Sequence, residues 1–241
     1  MKYLITISYD GSKYSGLQKL KGKNTVQGEL ENILSKLDKL PVSVKAAGRT
    51  DKGVHALDQK CHFELKKEIT PYRLRYYINR MTSKNLYVKE CIIVEDDNFH
   101  ARFSVKSKTY EYRINTSIYD AIQNDYIYNY NKDLDIDLMK EAAKAFVGPH
   151  SFKAFVTGPH KTFDSIIDEI NIYENNNIIT IEIKGQAFYT YMVRNIVSTL
   201  ILVGSKKITA SDIKTMLDTG KKIIEYAPAP ASGLYLKKVE Y

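Results

Sequence analysis

The stretch Ser165–Gly185, SIIDEINIYENNNIITIEIKG, reads as two strands joined through Asn175–Asn177. Asparagines between two such runs are a hairpin signal, because Asn tolerates the left-handed backbone of a tight turn. Working outward, KTYEYRI (Lys108–Ile114) predicts a strand, and DIDLMKEAAKAFV (Asp135–Val147) a helix with Ala142, Ala143 and Phe146 turned inward. After the hairpin, FYTYMVRNIVSTLILVG (Phe188–Gly204) predicts a helix and GLYLKKVEY (Gly233–Tyr241) a closing strand, with a short extra helix, ASDIKTMLD, between them. The order β-α-β-β-α-β is that of a split βαβ, ferredoxin-like unit.

The first half repeats the order. Tyr3, Ile5, Ile7 and Tyr9 share one face of a strand. Thr25 is placed as an N-cap, and Leu30, Ile33, Leu34 and Leu37 recur at helical spacing before Pro41. VSVKAAG (Val42–Gly48) and QKCHFEL (Gln59–Leu65) read as two strands, followed by a helix from Pro71 to about Arg80 and a strand, LYVKECIIV. The halves are alike in order and not evidently in sequence. The expected fold is therefore α+β: two ferredoxin-like halves, residues 1–105 and 106–241, with antiparallel sheets docked around a central cleft. No Pro/Gly/Ser-rich linker separates them.

Composition narrows the function. Hydrophobic residues make up 44% of the 241 and charged residues 27%, the balance of a globular chain, and no apolar run approaches the length of a membrane span. The N-terminus reads as a strand and not as a signal peptide, which points to the cytoplasm. Cys61 and Cys91 stand far apart with no C-x-x-C pair, so neither a disulfide framework nor a metal site is expected. A formal charge of +8 favours a polyanionic partner. Nineteen tyrosines add rings suited to stacking on bases, although most of them fill cores.

The chemistry concentrates in AAGRTDKGVHA (Ala46–Ala56), where Asp51 lies between Arg49 and Lys52, within Gly48 and Gly53, with His55 following. Such a segment is equally an ordinary charged turn. A carboxylate becomes catalytic when it is fixed and kept ionised by an opposite charge. Neighbours in a loop often point apart, so a partner from elsewhere is the stronger support, and Arg194, set among apolar residues in MVRNIV, is the candidate. A buried Arg is costly unless paired, though its long stem also lets it snorkel to the surface. Paired with Asp51, it would sit in the cleft between the halves. In FHARFSVKSKTYEYR, His100, Arg102, Lys106 and Lys108 alternate with Phe99, Phe103 and Tyr110. That mixture suits RNA, and it also suits a half-buried strand with a charged outer face. Phosphate-loop, dinucleotide and nucleophile-elbow motifs are absent, and no second acid near Asp51 makes a glycosidase pair.

AGRTDKGVHA, FHARFS followed by KTYEYRI, MVRNIV, the closing GLYL and YDGSKYSGLQ together resemble the TruA family of tRNA pseudouridine synthases, in the right order from Tyr9 to Leu236. The resemblance implies a homodimeric isomerase that converts uridine to pseudouridine in the anticodon stem-loop of tRNA, at positions 38 to 40, without metal or organic cofactor. It implies Asp51 as nucleophile, Tyr110 as the ring that stacks on the target base, and Arg194 as the partner of the acid. Arg49 would help to hold the flipped nucleotide and Leu234 would pack beside the site. Lys52, His55 and Arg102 are expected to face the RNA. The chain departs from the family at Leu17, where an aromatic is common, at Ser198, where Gly is usual, and in INRMTSKNLYV, which lacks a Leu-Pro. These departures leave Asp51, Tyr110 and Arg194 intact and leave open which RNA is used, another tRNA site and ribosomal RNA included. A non-catalytic RNA-binding module is the reading from another class.

Overall fold

The computed structural model describes residues Met1–Tyr241, which divide into two compact units: Met1–Lys106 with Tyr235–Tyr241, and Ser107–Leu234. The protein is mixed α+β, with ten strands and five α-helices.

In the first unit, strand β1 (Lys2–Tyr9) buries Tyr3, Ile5 and Ile7 completely, as the alternation predicts. Helix α1 (Val26–Asp38) starts where the Thr25 hydroxyl accepts a hydrogen bond from the Gly28 amide at 3.2 Å. Its apolar stripe of Val26, Leu30, Ile33 and Leu34 is buried. Strand β2 is only Lys45–Ala46. The expected run from Val42 is shortened because its amides find side chains instead of a ladder: Val42 N–H donates to Ser35 Oγ at 2.9 Å and Val44 N–H to Glu31 Oε1 at 3.1 Å. Strand β3 (His55–Glu64) begins four residues earlier than its sequence suggests, because pairing with β1 continues to Tyr9 opposite Ala56. Helix α2 (Pro71–Met81) opens on Pro71, whose missing N–H costs nothing in a first turn, and strand β4 (Leu86–Ile93) follows. The antiparallel order β4-β1-β3-β2 is the ferredoxin-like one.

The second unit holds β5 (Ser107–Asn115), the short β6 (Tyr128–Asn129) parallel to it, helix α3 (Ile136–Ala143), β7 (Gly148–Ser151), β8 (Asp164–Asn175), β9 (Ile178–Gly185), and helices α4 (Met192–Gly204) and α5 (Ala210–Thr219). The hairpin forms as read: Asn175 faces Ile178, and Asn176 and Asn177 take φ of 51° and 61°. Strand β9 runs between β5 and β8, antiparallel to both. Helix α3 ends earlier than expected, its last residues tightening into a 3₁₀ turn (Lys144–Phe146) that buries Phe146. Helix α4 starts at Met192 and not at Phe188, because Tyr191 takes a left-handed φ of 61° that no helix interior allows.

Sequence order places the final strand, β10 (Leu234–Glu240), in the second half. Its residues from Tyr235 instead group with the first unit. Tyr235 and Leu236 run parallel to His55 and Ala56 of β3, Val239 N–H donates to Asp58 Oδ2 at 3.0 Å, and Tyr241 Oη donates to the Ala101 carbonyl at 2.9 Å. Order along the chain identifies the strand; only long-range pairing assigns it to a unit.

Candidate active site

In the first unit the loop Ala47–Val54 joins β2 to β3 and is tied down along its length. Ala47 N–H donates to the Lys60 carbonyl at 2.8 Å, and Gln59 Nε2 to the Gly48 carbonyl at 2.9 Å. The buried Thr50 shares a 2.7 Å hydroxyl contact with Tyr9, while its carbonyl accepts from Leu17 N–H at 3.1 Å. A turn closes from Val54 N–H to the Asp51 carbonyl at 3.2 Å, with Gly53 at φ +85°. The loop thus holds Asp51 half-buried on a fixed backbone, with Arg49 and Lys52 both exposed beside it.

His55, expected to face the RNA, is instead buried at 2% exposure. Its Nδ1 accepts from Gly11 N–H at 3.1 Å and lies 3.4 Å from the Asp10 carboxylate. Its ring stacks on Tyr235 at 4.7 Å. His55 therefore fastens the loop to YDGSKYSG. Leu17, the position that departs from the aromatic pattern, is also buried and holds the loop through its amide.

The same contact fixes Gly11. A Cβ there would lie 1.9 Å from the Val54 carbonyl oxygen, closer than any real contact. Gly11→Ala is expected to push the loop away and to destabilise the first unit by about 2–3 kcal/mol, read as a lower urea midpoint at unchanged slope. An unaltered midpoint would show that the close approach is not needed.

In the second unit Tyr110 stands on β5 opposite Ile183, is 7% exposed, and meets Phe188 edge-on at 4.9 Å. Arg194 lies in the first turn of α4 and is half-buried. Its Nε donates to the Ala229 carbonyl at 2.5 Å, its guanidinium lies 4.8 Å from the Tyr191 ring centre, and its own carbonyl accepts from Ala229 N–H at 3.2 Å. One turn on, Ser198 Oγ donates to the Ala227 carbonyl at 2.9 Å. The residue that departs from the usual Gly thus helps strap Ala227–Ala229 along the helix. The strap continues through Pro230, whose carbonyl accepts from Tyr112 Oη at 2.7 Å; burial raises that phenol's pKa well above its ordinary value. Leu234, at 5% exposure, follows this segment. Sequence reasoning missed Tyr191, Tyr112 and Ala229, because a single left-handed residue and a strap of carbonyls carry no periodic signal.

The segment FHARFS is not a strand. Phe99 N–H donates to the Asp96 carbonyl, and Phe103 and Ser104 both donate to that of His100, so the chain turns twice before β5 begins. In place of the half-buried strand that the alternation also suited there is a knot around His62, whose Nδ1 accepts from Ala101 N–H at 3.1 Å. Burial first, and then the charges of His100, Lys2 and Lys45, bring the His62 pKa down to about 4. Arg102 stays exposed, its guanidinium 5.8 Å from the ring of Phe103, which is itself 78% exposed.

No three or more His, Cys, Asp or Glu side chains are grouped to hold a metal, and no helix is long and apolar enough to cross a membrane.

Comparison with known proteins bears on this arrangement. The family pattern described as tRNA pseudouridine synthase matches residues 5–104 and 142–241, which takes in both the Asp51 loop and the Arg194 helix. The chain is 38% identical over 246 residues to tRNA pseudouridine synthase A of Wolbachia pipientis wMel, covering all of both chains. It is 37% identical to the protein of the same name from Bacillus subtilis, covering 100% of this chain and 99% of that one. A solved structure of a Cbf5-Nop10-Gar1 complex aligns at a TM-score of 0.36 and 12% identity over 83% of this chain and 45% of the other, too slight a likeness to bear on the site. With a family pattern matched in both halves and relatives matched end to end, the chain belongs to the tRNA pseudouridine synthase family.

Proposed function

We propose that the protein isomerises uridine to pseudouridine in the anticodon stem-loop of tRNA, at positions 38 to 40, with Asp51 as nucleophile. The observation that carries the reading is the Asp51 loop: an acid on a backbone tied at both ends and at Thr50, part exposed between two outward cations. Such a fixed carboxylate is suited to covalent catalysis. The reaction breaks N1–C1′, turns the uracil, and joins C5 to C1′; the C5 proton leaves and N1 gains one, so the sum is an isomerisation that needs no redox partner. The target base has to leave its stack, at a cost of a few kcal/mol recovered in the pocket.

Arg194 is proposed to pair with Asp51 and keep it anionic, and its clamp on Ala229 and Tyr191 supports this by fixing the guanidinium before substrate arrives. Tyr110 is proposed to hold the uracil by stacking, Arg49 to contact the flipped nucleotide, and Lys52 and Arg102, both exposed, to contact phosphates. His55, held by Gly11 and Tyr235, is assigned to support the Asp51 loop, and Leu234 to pack beside the site. A homodimer working in the cytoplasm without cofactor completes the proposal.

The test is chemical mapping of pseudouridine across total RNA from cells with and without the gene. Loss confined to tRNA positions 38 to 40 is the expected result. Loss in ribosomal RNA with those tRNA positions intact would overturn the substrate assignment.

A further inference from the structure

Helix α2 carries three arginines and no acid, and its outward face shows an alternation that the active site does not use. Leu74 and Ile78 are buried, which turns Tyr72, Arg73, Tyr76 and Arg80 to the opposite side. Tyr72 and Tyr76 are 71% and 56% exposed, unusual for large rings one turn apart. Arg80 donates to Tyr76 Oη at 3.1 Å and lies 5.7 Å from the centre of its ring, which holds ring and cation together, and neither Arg73 nor Arg80 has a carboxylate partner.

The face does not end with the helix. Met81, Thr82 and Ser83 line one wall of an open groove of about 710 Å³ whose other wall is the loop Lys19–Asn24. Lys21 and Lys23 stand exposed on that loop without an ion pair, whereas Lys19 is held by Glu31 at 2.9 Å. The one carboxylate in the groove, Glu29, is already occupied by Tyr14 Oη at 2.7 Å and by Ser83 N–H at 2.6 Å. The loop leaves directly from Leu17, whose amide is bonded to the Thr50 carbonyl next to Asp51. The groove thus brings the exposed Lys21 and Lys23 to the C-terminal end of α2, whose Tyr72–Arg80 face is about 12 Å long at 1.5 Å per residue.

We propose that this face is a second RNA-docking surface, which grips the body of the tRNA beyond the stem-loop in which the uridine lies: lysines and arginines on phosphates, Tyr72 and Tyr76 stacked on unpaired bases. The inference rests on tRNA being the substrate. Charge complementarity selects RNA as the occupant, since a second copy of this net-positive chain would meet an acid-free helix with like charge.

The test measures fluorescence anisotropy of the full-length dimer or monomer, as purified, with a complete tRNA transcript and with its isolated anticodon stem-loop, across salt. Tyr72→Ala/Tyr76→Ala is expected to weaken binding of the whole tRNA roughly tenfold and that of the stem-loop far less. Lys21→Gln/Lys23→Gln is expected to reduce the log–log salt slope on the whole tRNA by about 1–2. Melting temperatures matching wild type establish that both variants fold. Unchanged affinity and slope would overturn the proposal, and so would an equal loss on both RNAs. A change in oligomeric state by sedimentation with unaltered RNA binding would also overturn it, in favour of a second copy. Conversion of uridine by wild type on the same transcript is scored separately: a wild type that binds but does not convert overturns the catalytic reading alone.

Discussion

Asp51→Asn is expected to abolish pseudouridine formation, by roughly 10⁴-fold or more, while tRNA binding survives. The substitution removes the proposed nucleophile's charge and keeps its shape. Because the loop is fixed by backbone and by Gln59, Thr50 and Leu17, the variant is expected to fold as wild type does. The readouts are single-turnover conversion of a tRNA transcript, affinity for the same transcript, and melting temperature. Conversion at the normal rate would remove Asp51 from the mechanism. Loss of binding together with conversion would make it an RNA-contacting residue instead.

The second large effect belongs to Arg194. Arg194→Ala leaves an uncompensated acid if the proposed pair with Asp51 forms; both groups are half-buried, so the loss is expected at the low end of the about 3–5 kcal/mol that breaking a buried pair costs, equivalent to about 10²-fold in turnover. The variant also loses the bond to Ala229 and the stacking on Tyr191, so some stability is expected to go with it. Arg194→Lys separates the two roles. A lysine keeps the charge but offers neither a planar face to Tyr191 nor an Nε to Ala229, so partial rescue of turnover with little rescue of melting is the expected pattern. Rescue of melting without turnover would make Arg194 a strap for Ala227–Ala229 and nothing more. Turnover and melting both at wild-type level in Arg194→Ala would show that neither role is real.

What proved legible in the sequence was whatever local interactions write into it. Thr25 caps α1, Pro71 opens α2, and the asparagines of the Ser165–Gly185 stretch turn the hairpin, each through contacts within a few residues. Alternation in Tyr3–Tyr9 picked out residues that are buried in β1, although Leu4 and Thr6 on the other face are buried as well. The errors fall where a distant partner overrides the local pattern. Val42–Val44 reads as strand, but Ser35 and Glu31 take its amides. FHARFS alternates like a strand, yet His62, about forty residues away, draws it into turns. His55 looks like a ligand-facing loop residue because it follows a charged turn, and it is a buried clasp because Gly11 and Tyr235 meet it.

By itself the sequence determined the order of the main strands and helices but not the short strands β6 and β7, together with the caps and turns that bound several elements and the loop that presents Asp51, because periodicity and turn chemistry act over a few residues. Only the tertiary structure decided which groups hold that loop still, where Arg194 is anchored, and to which unit Tyr235–Tyr241 belongs. The reason is physical: a pattern of apolar and polar residues records that a face will be buried or a charge presented, but not which distant carbonyl, ring or amide will meet it once the chain has closed on itself.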